Sequence, residues 1–310
     1  TMRHIRYEID KKEKGIFLYG EGWTADASPM PEFRRAVKKN IIHLPGIAAF
    51  SDDMRDALKG NHGIKTSLGF VSGLPLREEA VKFGIVAATW HPQIVYSYVE
   101  SSLEPWAAEP SQCVNYVSCH DNYTLYDKLT MSVPGATREE LGKMVKLAGA
   151  IILTSQGVPF LHSGVEFCRT KNGHANSYKA PDAYNQLDWE RKSLFADVND
   201  YYRKLINLRK NHPLFRMPTS ELIRKNLSFC TDYKVGVVSY CLKGKNTGDI
   251  WQQALLIFNA NRENITLTVP EARYKLIAYG DVIDEEGIEY RQTSQAEAAP
   301  ISMTLLVRES

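Results

Sequence analysis

The stretch Asn115-Tyr116-Val117-Ser118-Cys119-His120-Asp121-Asn122 decides how this chain is read. A short apolar run climbs through Tyr116 and Val117 and stops on His120, Asp121 and Asn122. That is the pattern of a buried strand whose carboxyl end opens onto an active-site face. The same pattern stands upstream in Gly15-Ile16-Phe17-Leu18-Tyr19-Gly20-Glu21-Gly22-Trp23, where an apolar strand ends in one carboxylate flanked by two glycines and an indole. Two strand ends, each presenting one carboxylate, frame the rest of the chain.

Two further apolar runs behave alike. Residues 46–50 end in Ser51-Asp52-Asp53, and residues 158–161 end in His162-Ser163-Gly164. Between them the spacing predicts helices over 1–13, 32–40, 54–59, 77–89, 137–154 and 193–210. The helix over 137–154 has the strongest period near 3.6 residues. Residues 25–31 read as a loop of small residues and prolines. Continuous apolar strands (15–20, 46–50, 114–119, 158–161) alternating with helices predict a parallel sheet of βα units. Four units fit half of a (β/α)₈ barrel or a small doubly wound sheet. Beyond Pro218 the texture changes: residues 229–242, 254–258, 265–269, 274–279 and 301–307 read as strands separated by turns, with no strong helix. The expectation is a partial α/β barrel over 1–217 followed by an antiparallel β-sandwich over 218–310.

Composition bounds the function. With 310 residues, 44% hydrophobic and 24% charged, the chain can bury a sizeable core. A formal charge of +2 offers no electrostatic case for nucleic acid or an acidic membrane. No apolar stretch approaches the roughly 20 residues that span a bilayer. Five cysteines (Cys113, Cys119, Cys168, Cys230 and Cys241) form no C-x-x-C pair and read as free thiols, which leans toward a cytoplasmic compartment. Met2, Ile5 and Ile9 recur at helical spacing from the first residues, so the chain reads as starting inside a helix, as a piece of a larger protein would.

Chemistry-bearing candidates concentrate at the strand ends. Gly20 and Gly22 allow a sharp turn and close approach of a ligand to Glu21, while Tyr19 and Trp23 would partly desolvate its carboxyl, which suits a general acid. The competing reading is a solvated polar residue. Asp121 could stabilise positive charge developing on a sugar ring while His120 donates to a hydroxyl; the competing reading is a helix N-cap. Among the tryptophans, Trp23 beside Glu21 is the candidate sugar platform. Asp52-Asp53 could be a metal pair, although a helix N-terminus fits them better. Nothing else has metal-ligand spacing, and Ser163 lacks the G-x-S-x-G elbow of a serine hydrolase.

These residues resemble type I pullulanase, a glycogen- and starch-debranching branch of the α-amylase superfamily. The resemblance rests on I-F-L-Y-G-E-G-W-T-A (16–25), A-F-S-D-D-M-R-D-A-L-K-G (49–60), V-N-Y-V-S-C-H-D-N (114–122), and G-V-P-F-L-H-S-G-V-E-F-C-R-T-K-N-G with N-S-Y-K-A-P-D-A-Y-N-Q-L-D-W (157–189). It implies the fifth to eighth strands of a (β/α)₈ barrel, with 219–310 at the place of the family's C-terminal β-domain. It implies retaining hydrolysis of α-1,6 branch linkages in pullulan, glycogen or limit dextrins. By the same resemblance Glu21 matches the general acid/base and Asp121 the stabiliser of the oxocarbenium-like transition state. His120 matches the histidine that binds sugar hydroxyls, and Trp23 the indole at the branch-point subsites. Asp182 and Asn185 fall in the loop that holds the non-reducing glucose. The family's nucleophilic aspartate belongs one helix before the strand of Glu21 and has no match here, although it must lie roughly 5 Å from the acid. The chemistry requires no cofactor; a calcium ion is admissible but no ligand set shows itself. The expected partner is an α-glucan or a branched maltooligosaccharide. Half a barrel exposes two sheet edges and should self-associate. The rival readings are a branching or glucan-transferring enzyme and a non-catalytic carbohydrate-binding module.

Overall fold

The computed structural model describes residues 1–24 and 26–309. Ala25, at the start of the expected 25–31 loop and at the end of the first resembling motif, lies outside them. The first part of the chain runs α1 (Met2–Lys12), β1 (Leu18–Gly20), β2 (Ile47–Ser51), α2 (Asp52–Lys59), α3 (Glu78–Ile85), β3 (Cys113–Asn115), α4 (Leu125–Ser132), α5 (Arg138–Thr154) and β4 (Val158–Pro159). The four strands form one parallel sheet in chain order, with Gly20 level with Ala49, Ala49 with Cys113, and Val114 with Val158. Helix α1 buries no residue; it is tied down through Arg6, which donates to the Ile16 carbonyl at 2.6 Å, and through Arg3, which donates to the His43 carbonyl at 3.0 Å.

Two expectations need correction here. The run 114–119 contributes only Cys113–Asn115 to the ladder, although Tyr116, Val117 and Ser118 stay buried. Their partners run out: β2 turns into α2 at Asp52, and on the other side Pro159 has no N–H to donate. Residues 32–40 do not form an α-helix but two 3₁₀ turns, Glu32–Arg34 and Lys38–His43. The Asn40 carboxamide donates to the Glu32 and Arg35 carbonyls at 2.8 and 2.9 Å and so competes with a helical ladder. Helix α5 forms as its period predicts. Thr137 caps it by accepting from the Glu140 N–H at 3.1 Å, and Leu141, Met144, Val145, Ala148, Ile151 and Ile152 are buried.

The chain continues through α6 (Asp182–Asn185), α7 (Glu190–Leu194), α8 (Ala196–Asn211) and α9 (Ser220–Asn226) into β5 (Leu227–Phe229), β6 (Val237–Lys243), β7 (Trp251–Asn259), β8 (Ile265–Tyr279), β9 (Val282–Ile283), β10 (Glu289–Ala298) and β11 (Ser302–Glu309). These strands make one seven-stranded antiparallel sheet in the order β10-β8-β11-β7-β6-β5, with β9 beside β8. The expected two-sheet sandwich is therefore one hydrogen-bonded sheet. Its layering comes from the long β8: Ile265, Leu267 and Val269 share an apolar cluster with Val237, Leu255 and Ile257, so the β8–β10 ribbon covers the outer face of β6 and β7. The inner face, with Tyr240, Phe258 and Leu305, joins the core that also holds α2, α3, α5 and α8. A helix, α9, does stand past Pro218, capped by Thr219, which accepts from the Leu222 N–H at 3.2 Å. None of the described helices is long and apolar enough to cross a membrane.

Candidate active-site face

Parallel strands deliver all four of their carboxyl ends to one side of the sheet. Glu21 follows β1, Asp52 follows β2, the His120–Asp121 turn follows β3, and His162 follows β4. Strands β1 and β3 flank β2, so their axes lie two interstrand steps apart, about 10 Å. Gly22 sets the direction of the chain at Glu21. Its φ is +81°, its carbonyl accepts from the Lys38 N–H at 2.5 Å, and a Cβ there would come within 2.7 Å of the Ala49 Cβ. Gly20 carries no such constraint: a Cβ would meet nothing within 4 Å. The glycines flanking Glu21 thus have different duties, and only the second is sterically required.

The expected shelter around Glu21 is absent among the described residues. Glu21 is exposed, and Tyr19 and Trp23 are themselves 48% and 40% exposed. Tyr19 lies on β1, the edge strand of the sheet, which leaves its ring open to water on one side, and Trp23 stands beyond the end of the strand. Phe17 stacks on Tyr19 (5.3 Å between centroids), Tyr19 meets Phe50 edge-on (5.7 Å), and Phe50 meets Tyr116 (4.9 Å) and Phe160 (5.1 Å). An aromatic ladder therefore crosses one face of the sheet, from the open edge inward.

His120 and Asp121 also face solvent, with 81% and 52% of their side chains accessible and 3.4 Å between Nε2 and Oδ1. The N-cap reading of Asp121 is set aside by the structure: the cap of α4 is Thr124, whose hydroxyl accepts from the Asp127 N–H at 3.1 Å. The turn carrying the two residues is held from beneath. Lys171 is buried and donates from Nζ to the carbonyls of His120 (2.8 Å) and Ala175 (3.2 Å), and its N–H donates to Asp127 Oδ2 at 2.7 Å. The Thr170 hydroxyl donates to the other Asp127 oxygen. Lys59, fully buried, donates to the Tyr123 carbonyl at 3.2 Å, and burial pulls its pKa down to about 7. Asn122 turns the chain with a φ of +59°, a conformation asparagine tolerates.

The Asp182–Asn185 turn lies beyond β4. Asp182 is exposed. Asn185 is engaged: its Oδ1 accepts from the Ser177 hydroxyl at 2.8 Å and its Nδ2 donates to the Ser177 carbonyl at 2.7 Å. Arg169 joins this turn to the end of β4, donating to the Asn185 carbonyl at 2.5 Å and to His162 Nε2 at 3.0 Å. Burial, then the nearby Arg169 and Lys171 charges, push the His162 pKa down to about 3, so His162 is the neutral acceptor in this pair. Asp52 and Asp53 sit in the first turn of α2. Asp53 accepts from Lys38 (3.1 Å), Ser102 (2.9 Å) and Trp106 (3.1 Å), and its pKa is raised, chiefly by burial. Among the described residues no group of three or more His, Cys, Asp and Glu is placed to hold a metal ion. Sequence reading missed Lys59, Asp127, Arg169 and Lys171. Their only signal is that Lys59 lies within the resembling run at 49–60, and Arg169 and Lys171 within the contiguous R-T-K-N-G run.

The chain is similar to known proteins over most of its length. Residues 223–282 match the family described as the all-beta domain of pullulanase. The chain is 36% identical over 295 residues to a pullulanase of Bacillus subtilis (strain 168), covering 94% of this chain and 39% of that protein. It is 30% identical over 262 residues to the chloroplastic pullulanase 1 of Arabidopsis thaliana, covering 71% and 27%. Among solved structures, it superposes on a pullulanase from Bacillus acidopullulyticus with a TM-score of 0.90 at 36% identity, over 99% of this chain and 36% of that one. It also superposes on a Paenibacillus barengoltzii pullulanase complexed with maltohexaose and α-cyclodextrin, with a TM-score of 0.89 at 39% identity, over 100% and 46%. The chain thus spans less than half the length of these relatives.

Proposed function

We propose, for a chain homologous to pullulanases over nearly its whole length, that it forms the carboxyl-terminal part of a debranching glycoside hydrolase acting on α-1,6 linkages of pullulan, glycogen or starch limit dextrins with retention. In this reading β1 to β4 are the fifth to eighth strands of a (β/α)₈ barrel, and the antiparallel sheet is the C-terminal domain. The parallel strands in chain order support it, as do the free edges on β1 and β4 and the aromatic ladder on a face that a barrel would turn inward.

Glu21 is the proton donor to the departing sugar oxygen and then the base that activates water. Asp121 steadies the positive charge that develops on the ring, and His120 hydrogen-bonds a hydroxyl of the sugar being cleaved. Trp23 offers its exposed indole to a ring face at the branch point. Asp182 reaches the terminal glucose, while Asn185 shapes the same loop through Ser177. The nucleophile is not among these residues: in a longer protein it comes from the strand that would pair with the free edge of β1. An α-glucan ligand is supported by the oligosaccharides bound to the Paenibacillus relative.

The observation that carries this reading is the placement of Glu21 and His120–Asp121 on the carboxyl ends of parallel strands in a chain that superposes on pullulanases. The test is reducing-sugar release from pullulan by residues 1–310 beside the same chain extended upstream through the preceding strand and the start of the barrel. Silence from 1–310, activity from the extension and loss of most of that activity in Glu21→Gln are expected. Activity from 1–310 alone would overturn the assigned roles. Transfer would leave reducing ends nearly constant, so the same assay separates the branching-enzyme rival.

A further inference from the structure

The five cysteines read as free thiols in the sequence, and the fold brings two of them together. Cys230 follows the edge strand β5, and Cys241 lies on β6, where it pairs with Ser228. The Cys230 N–H donates to the Ser239 carbonyl at 2.9 Å, which extends the same register by one step. Cys230 and Cys241 are therefore diagonal neighbours on one face of an antiparallel pair, and both are half-buried against the cluster beneath the β8–β10 ribbon. Cys113 and Cys168, by contrast, are buried on their own in the main core.

We propose that Cys230 and Cys241 form a redox-active dithiol, which a hydroperoxide oxidises to a disulfide between β5 and β6. The Cys241 thiolate attacks a peroxide oxygen, the O–O bond breaks, and a sulfenic acid forms with release of hydroxide or alcohol. The Cys230 sulfur then attacks the Cys241 sulfur, losing its proton, and water leaves as the S–S bond closes. The two thiols give up two electrons in all, and the peroxide takes them.

The electrostatics run the same way. The Cys241 thiol is held below its ordinary range, first by its hydrogen bond with Cys230, which outweighs the opposing effect of burial, and then by the Gln253 side chain and the Lys243 charge. At the other three cysteines burial prevails: it pushes Cys168 up to about 12 and raises Cys113 and Cys119. Closure asks one sulfur to move toward the other. β5 can supply the motion, since it is three residues long and lies at the sheet edge.

Trypsin makes the test direct, because Lys225, Lys234 and Lys243 place the two cysteines in separate peptides, 226–234 and 235–243. The intact reduced protein is treated with hydrogen peroxide, alkylated with N-ethylmaleimide, and digested without reductant. The linked pair, two hydrogens lighter than the separate peptides, should form at least tenfold faster than Cys113, Cys119 or Cys168 is modified. In Cys230→Ser, dimedone should trap a sulfenic acid on Cys241. If both thiols remain open to alkylation after excess peroxide, or Cys241 goes to the sulfinic acid with Cys230 untouched, the dithiol is overturned. The wild-type digest decides even if the variant fails to fold.

Discussion

A single missing methyl group lets the chain turn directly after Glu21. Gly22 holds a φ of +81° and sits so close to β2 that an alanine Cβ would fall 2.7 Å from the Ala49 Cβ. Gly22→Ala therefore meets backbone strain and a clash together and should cost about 1–3 kcal/mol, whereas Gly20→Ala, open on all sides, should be nearly neutral. Thermal unfolding of the two variants beside the parent checks this; equal midpoints would show that β1 yields at no cost. The sequence displayed both glycines and could not say which mattered, because the distinction depends on a contact with a strand far along the chain. Glu21, His120 and Asp121 were legible because each ends an apolar run. Lys59 and Lys171 were not, since an isolated lysine reads as a solvated side chain. What sets them apart is the carbonyls of Tyr123 and His120, which the fold brings to them.

At the scale of elements, the long amphipathic segments and the apolar strands at 46–50 and 301–307 stand in the fold close to where their residues predict them, whereas the extent of β3 and the polar β10 do not follow from their own residues. α5 and α8 announce themselves by period. Strand β3 stops at Asn115 because its neighbours end there, a fact absent from its own residues. Strand β10 went unread because its sequence, E-Y-R-Q-T-S-Q-A-E-A, is polar on both faces until Ala296 and Ala298 enter the core. The α5–α8 contact offers a test in which local propensity and packing oppose each other. Gly149 lies in α5 against Tyr202, and a Cβ would fall 2.4 Å from the ring carbon Cζ, while the Tyr202 hydroxyl donates to the Val145 carbonyl at 3.1 Å. Helix propensity alone favours Gly149→Ala by about 1 kcal/mol. Overpacking costs about 1–3 kcal/mol and adds the risk of an orphaned hydroxyl. Packing should win, with a net loss read from the denaturant midpoint. A rise in stability would mean that α8 shifts freely and that the contact is loose.

The whole molecule is unevenly finished. Its antiparallel sheet is folded over and packed on α5 and α8, and one apolar cluster runs from Ile41 through to Val307, so the two parts expected at 1–217 and 218–310 share a core. The parallel sheet is different. Strands β1 and β4 each keep one free edge among the described residues, and Ile16, Phe17 and Tyr19 stand 44–48% exposed beside the β1 edge. An unpaired, apolar parallel edge is a template for another chain, because its N–H and C=O groups and its aromatic side chains gain partners together. Residues 1–310 prepared alone should therefore associate, with a sedimentation coefficient that rises with concentration. Phe17→Ser combined with Tyr19→Ser should lower that association by removing apolar area without touching the β8–β10 ribbon. Extension upstream through one more strand should suppress it more completely, since that strand would occupy the edge itself. If the unmodified chain instead sediments as a compact single species at every concentration, the free edge is capped by something other than a neighbouring strand, and the proposed place of the missing nucleophile beside β1 fails with it.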